Sequence, residues 1–177
     1  WKFVKKSKRE AAPHYECVYA KNHVDKMNGN VIKVMERERL VSYTPEELKK
    51  IYVTQDYLTM DAYLSNFNKR LALFIKITIR TNNPRSAYGS LFKDAKLIFK
   101  LNNGHTVTLH CGQSESGNVD YEHDKTIYMT FFELNDAAIE LLQRGKIEMA
   151  RLYWGKGYED YKIIIPDFFI RQIHCVK

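Results

Sequence analysis

The segment from Ala95 to Cys111 restricts the possible folds of this chain more than any other. It reads Ala-Lys-Leu-Ile-Phe-Lys-Leu, then Asn102-Asn103-Gly104, then His-Thr-Val-Thr-Leu-His-Cys. Two alternating runs around an Asn-Asn-Gly turn specify an antiparallel hairpin. A three-residue loop with Gly104 in the left-handed conformation pairs Leu101 with His105, Phe99 with Val107, Leu97 with Leu109 and Ala95 with Cys111. That register puts the apolar residues of both strands on one face. A two-residue Asn-Gly loop would pair Phe99 with Thr108 and mix the faces, so the longer loop is expected.

Leu71 to Thr81 alternates in the same way. Leu71, Leu73, Ile75, Ile77 and Ile79 form one face, and Ala72, Phe74, Lys76, Thr78 and Arg80 the other, as in a sheet buried on one side. Thr126 to Glu133 is a further strand, rich in aromatic and β-branched residues. Lys146 to Trp154 and Tyr158 to Ile165 form a second hairpin across Gly155-Lys156-Gly157. Residues 14 to 43 read as a first β region, with Tyr15, Cys17 and Tyr19 alternating and Asn28-Gly29 turning into Val31-Ile-Lys-Val-Met. Glu36-Arg-Glu-Arg39 is expected on a solvated edge or a protruding strand.

Helices are expected in four places. Thr44-Pro45-Glu46-Glu47 has the form of a capping box with proline at the first helical position, so a helix should run to about Tyr52, with Tyr43 stapled onto Leu48. Met60, Tyr63, Leu64 and Phe67 fall at i, i+3, i+4 and i+7, which suggests a helical turn or two across Asp56 to Phe67. Asn135 caps a short helix with Leu134, Ala138, Leu141 and Leu142 on one side, ended by Gly145. Asp167 caps a closing amphipathic helix that buries Phe169, Ile173 and Val176. The expected fold class is α+β: mainly an antiparallel β sheet or sandwich, with short helices and a C-terminal amphipathic helix. The expected organisation is a basic, flexible N-terminal segment, 1–13, and a single β-rich globular domain, 14–177.

Composition narrows the functional classes. Of 177 residues 45% are hydrophobic and 13% aromatic, with only 4 Pro and 8 Gly, so the chain can bury a core. No run of about 18 apolar residues spans a bilayer, and no signal peptide is evident. The chain begins at Trp1 and reads as a processed or trimmed form. The net charge of +7 is spread along the sequence as solubility charge is, except that five of the first nine residues are basic. Cys17, Cys111 and Cys175 allow at most one internal bridge; all three sit at apolar-patterned positions and read as small buried hydrophobes.

The run Lys96-Leu-Ile-Phe-Lys-Leu-Asn-Asn-Gly-His-Thr-Val-Thr-Leu109 is similar to the hairpin of uncharacterised envelope-associated or secreted β-rich domains common in Bacteroides-type bacteria. Leu141-Leu-Gln-Arg-Gly-Lys-Ile-Glu-Met-Ala-Arg151 resembles their short helix, glycine and arginine-bearing strand. Phe168-Phe-Ile-Arg-Gln-Ile-His-Cys175 looks like their closing helix. The resemblance covers roughly residues 70 to 177 and rests on structural motifs. It implies an extracytoplasmic or envelope-associated module and no reaction; a cytoplasmic location stays open.

No catalytic, cofactor or metal constellation is expected. On a strand His110 and Cys111 face opposite sides, so they do not form a base–nucleophile pair. His14, Cys17 and His23 match no tight zinc spacing. Glu115, Asp120, Glu122 and Asp124 lack the periodic spacing of a calcium loop and read as a solvated acidic loop. The expected function is a non-enzymatic interaction or structural module whose partner is an unknown protein or envelope component. The alternative is a nucleic-acid-binding or anionic-surface-binding domain. It would use a basic sheet face of Lys76, Arg80, Lys96 and Lys100, with Phe74 as a stacking platform.

Overall fold

The computed structural model describes residues 15–177. The expected basic N-terminal segment, and His14 with it, lie outside the described residues. Among the described residues eleven strands form two antiparallel sheets, accompanied by two α-helices. The strands are β1 Tyr19–Val24, β2 Val31–Met35, β3 Glu38–Tyr43, β4 Leu58–Phe67, β5 Arg70–Ile79, β6 Lys96–Leu101, β7 Thr106–His110, β8 Asn118–Asp120, β9 Lys125–Leu134, β10 Ile147–Trp154 and β11 Gly157–Lys162. The helices are α1 Asp136–Arg144 and α2 Phe168–Val176. The larger sheet has the order β1-β2-β4-β5-β9-β8, with β3 also on β4; the smaller is β11-β10-β6-β7.

The hairpin that dominates the sequence forms in the expected register. Phe99 pairs with Val107 and Leu97 with Leu109, the Leu101 and Cys111 amides donate to His105 and Ala95, and Gly104 has φ +85°. The alternation of β5 is equally faithful: Leu71, Leu73, Ile75, Ile77 and Ile79 are all buried. These faces meet in the space between the sheets, where Phe168, Phe169 and Ile173 of α2 join them; Phe169 lies edge-on to Phe99 with centroids 5.0 Å apart. The sheets touch along two seams. Cys111 at the end of β7 bridges to Phe132, and the Ile164 amide beyond β11 donates to the Leu40 carbonyl. The arrangement is a sandwich closed at two corners.

Two expected helices are corrected. Residues 58–67 are strand β4, not helical turns. Leu58, Met60, Ala62, Leu64 and Asn66 all point inward, but Asn66 and Ala62 dilute that face while Tyr63 and Phe67 load the other. Those substitutions mimic helical spacing. The Thr44-Pro-Glu-Glu signal yields only a 3-10 turn, Glu46–Leu48, without a side-chain cap. The Thr44 hydroxyl accepts instead from the Tyr57 amide, fastening the far end of the connection, and Ile51 is 71% exposed. Of this segment only Leu48 and Tyr52 pack partly against the core, too little to sustain a longer helix. Asn135 caps α1 as expected, accepting from the Ala138 amide. Asp167 makes no cap bond at α2 and pairs with Arg171, 3.2 Å away.

Cysteine usage is also corrected. Cys17 and Cys175 form a disulfide across a separation of 158 residues, and only Cys111 is a buried free thiol. The bridge ties the strand entering β1 to the last turn of α2.

A bulge gives α2 a second anchor. Along β4, Ser65 faces Val34 and Ala62 faces Glu38, so three residues, 35–37, oppose two, 63–64. The extra residue interrupts the ladder and leaves the Leu64 amide without a backbone partner. Gln172, 1% exposed, fills the gap. Its Oε1 accepts from the Leu64 amide at 2.7 Å, and its Nε2 donates to Glu38 Oε1 at 2.8 Å and to the Glu36 carbonyl at 3.4 Å.

Candidate functional site

The residues expected to form a basic binding face are dispersed. Phe74 and Lys76 do share the outer surface of the larger sheet. Phe74 stacks on Tyr63 with centroids 5.2 Å apart and planes within 5°, and Phe131 lies 5.8 Å on the other side. The Arg37 guanidinium sits 5.8 Å above the Tyr63 ring. With Lys76 and Met129 these side chains line a shallow apolar hollow of about 230 Å³. Arg80 is half-buried beyond that surface; its Nε donates to the Asp56 carbonyl at 3.0 Å. Lys96 and Lys100 project from β6, on the outer side of the other sheet, where Lys100 lies 3.5 Å from the Glu148 carboxylate.

Cys111, Asp120 and His123 are engaged by the protein itself. His110 is exposed while Cys111 is buried, as their opposed faces require, and the thiol lies 2.9 Å from Thr130 Oγ1 and donates to the Gln113 carbonyl. In the acidic loop Asp120 accepts from the His123 amide, contacts the His123 ring at 2.9 Å and lies 3.5 Å from Lys125. Among the described residues no group of three or more His, Cys, Asp and Glu side chains converges.

Convergence occurs elsewhere, in a cleft of about 360 Å³ at the end of the sandwich where β3, the residues before β4, the 84–90 connection and the β10–β11 hairpin meet. Its walls include Tyr43, Tyr57, Tyr88, Trp154 and Tyr158, with Glu159 among them and Glu47 and Lys156 also lining it. Strand geometry explains much of this. Alternation along β11 turns Tyr161 fully inward and leaves Glu159 half-buried on the same face. The hairpin tip is fastened to the 84–90 connection: the Gly155 amide donates to the Ser90 carbonyl, the Lys156 amide to Tyr88 and the Lys156 ammonium to Ser86. Gly89, at φ +75°, permits this approach, because a Cβ there would stand 3.3 Å from the Gly155 Cα.

Glu159 organises the hydroxyls. Tyr43 donates to its Oε1, Tyr161 lies 3.4 Å from its Oε2, and the Trp154 indole N–H donates to the Tyr161 oxygen at 3.1 Å. The Tyr88 ring lies 5.0 Å from Trp154, and Tyr43 meets Tyr161 edge-on at 5.2 Å. Burial first, and then interaction with the Glu159 carboxylate, hold the Tyr43, Tyr88 and Tyr161 hydroxyls far above the ordinary phenol range. Tyr57 is raised as well, by burial, by neighbouring Tyr52 and by Glu159. The result is an aromatic recess with neutral phenols around one carboxylate. Among the described residues no Lys or Arg forms an ion pair with Glu159 or Glu47.

Sequence reasoning missed this cleft because its residues come from positions 43 to 159, each at an ordinary strand or loop place. The available signal was the density of tyrosine, 12 residues in all, and the Tyr158-Glu-Asp-Tyr161 run. No protein-family model matches the chain, and neither a curated protein nor a solved structure matches it.

Proposed function

We propose that this chain is a non-enzymatic interaction module of the cell envelope or beyond, with the tyrosine cleft as its ligand seat. The observation that carries this reading is the cleft itself. Its volume lies within the range of about 300–1,000 Å³ usual for small-ligand sites, and its walls are aromatic with a few fixed polar groups. Tyrosine and tryptophan give large, rigid contact area at low entropic cost, and their polar tips orient a ligand. The phenols are poor proton carriers near neutrality because burial and Glu159 disfavour their ionised form, which suits binding better than acid–base chemistry. The Cys17–Cys175 bridge supports an oxidising compartment, and the hairpin's resemblance to exported Bacteroides-type domains agrees with it.

A second reading has one observation in its favour: the half-buried Tyr63–Phe74–Phe131 row on the outer sheet surface beside Lys76, which would offer stacking platforms to single-stranded nucleic acid. The two readings separate by fluorescence. The chain has two tryptophans, so a Trp1→Phe protein reports from Trp154 alone. Glycan fragments, peptides and single-stranded oligonucleotides are titrated in turn. A saturable change in Trp154 emission with a glycan or peptide supports the cleft. Binding confined to oligonucleotides, and lost in Phe74→Ala and Lys76→Ala, overturns it.

A further inference from the structure

Resting on the cleft as ligand seat, we infer that the group it takes is an organic ammonium ion, held between the aromatic walls and the Glu159 carboxylate. Three features of the site point the same way. The cleft contains a half-buried carboxylate with no cationic partner among the described residues, and a second carboxylate, Glu47, also lines it. Lys156, the one cationic side chain among the described lining residues, directs its ammonium to the Ser86 carbonyl at 2.8 Å. The described charged groups of the lining therefore leave the recess net negative.

The second feature is the state of Glu159. The Tyr43 and Tyr161 hydroxyls approach it, one at each oxygen, and Tyr88 interacts with it as well; a carboxylate offers about four acceptor directions, so capacity remains for an incoming donor. Neutral phenols orient the carboxylate without cancelling its charge. The third feature is the wall. Trp154, Tyr88 and Tyr57 line the cleft but are nearly buried, packed against one another and against Tyr128 and Tyr52, so the small ring area each exposes forms a low-polarity floor. Aromatic faces attract cations through their quadrupole, most strongly where the cation is desolvated, and tryptophan is the best of them. Tyr158 adds less, because the Arg151 guanidinium already covers one face of its ring at 4.1 Å. A neutral sugar would use the same rings and hydroxyls but would gain nothing from the uncompensated charge.

The test uses Trp1→Phe protein, reading Trp154 emission during titration with choline, tetramethylammonium and n-butylammonium. The control is 3,3-dimethyl-1-butanol, which matches choline in shape without its charge. The expected result is saturable binding of at least one ammonium probe, with choline about tenfold tighter than its neutral isostere. The order of quaternary and primary amines then tells a methylated headgroup from a lysine-type amine. Glu159→Gln keeps an acceptor oxygen for one of the two tyrosines and offers the other hydroxyl an N–H donor, while removing the charge. It should reduce the preference for choline over the isostere to about twofold or less, with the thermal midpoint confirming that the variant is folded. Equal binding of choline and the isostere overturns the ammonium assignment and leaves the cleft as a seat for neutral ligands. Saturable binding of glycans alone does the same. If no glycan, peptide or ammonium probe perturbs Trp154, both the assignment and the cleft reading fall.

Discussion

Replacing Gln172 with Met tests how the closing helix is fastened to the larger sheet. Methionine matches glutamine in length and adds no strain, so the effect isolates the amide. In the folded protein Gln172 Oε1 accepts from the Leu64 amide at 2.7 Å, and both residues are buried. The bulge opposite residues 63–64 leaves that amide no backbone alternative. A buried donor stripped of its partner costs about 1–3 kcal/mol. The bond from Nε2 to Glu38 contributes less, about 1 kcal/mol, because the Glu38 side chain is 27% exposed and keeps Arg171 at 2.7 Å. The expected loss is about 2–4 kcal/mol, or about 5–15 °C in thermal midpoint for a chain of this size. Urea unfolding under non-reducing conditions measures it, with an unchanged denaturant slope showing that only stability has moved. Glu38→Gln alone should cost about 1 kcal/mol or less. A loss below about 1 kcal/mol for Gln172→Met, or an equal loss for Glu38→Gln, would refute the argument that the orphaned Leu64 amide dominates.

Other consequences are equally direct. Leu97→Ala and Ile75→Ala should each cost about 2–5 kcal/mol by opening cavities between the sheets; losses below about 1 kcal/mol at both sites would contradict their burial, which is 1% and 3% exposed. Thiol titration of the denatured, unreduced protein should find one free thiol, Cys111, and three after reduction. Cys17→Ser should lower stability by about 2–4 kcal/mol, with about 5 kcal/mol as the chain-entropy limit for so long a loop. Binding to single-stranded RNA or DNA should be weak and vanish at physiological salt, because the basic residues do not share a face; affinity that persists there and depends on Phe74, Lys76 and Arg80 together would favour the nucleic-acid reading.

The parts of the fold legible in the sequence are those whose signal is local. Asn102-Asn103-Gly104 fixes a turn, and the turn fixes a register. The β5 alternation lacks any polar residue on its buried face, and Asn135 caps a helix with its own side chain. What escaped depends on distant partners. β4 tolerates Asn66 inward because Asn66 Nδ2 donates to the Val176 carbonyl, a contact 110 residues away. Thr44 fails as a helix cap because Tyr57 captures its hydroxyl. Cys17 and Cys175 find each other only once α2 has docked. The cleft lies at the far end of this scale. Glu159 and Tyr43 are 116 residues apart, and nothing in either local sequence marks them as neighbours.

The most direct test of the cleft as ligand seat is residue-resolved NMR on the oxidised protein, with choline, an N-acetylated glycan fragment and a single-stranded oligonucleotide titrated separately. At least one of the first two should produce saturable shifts concentrated at Tyr43, Tyr57, Tyr88, Trp154 and Glu159. Shifts confined to Tyr63, Phe74, Lys76, Met129 and Phe131, with the cleft unmoved, would contradict it and transfer recognition to the outer face of the larger sheet.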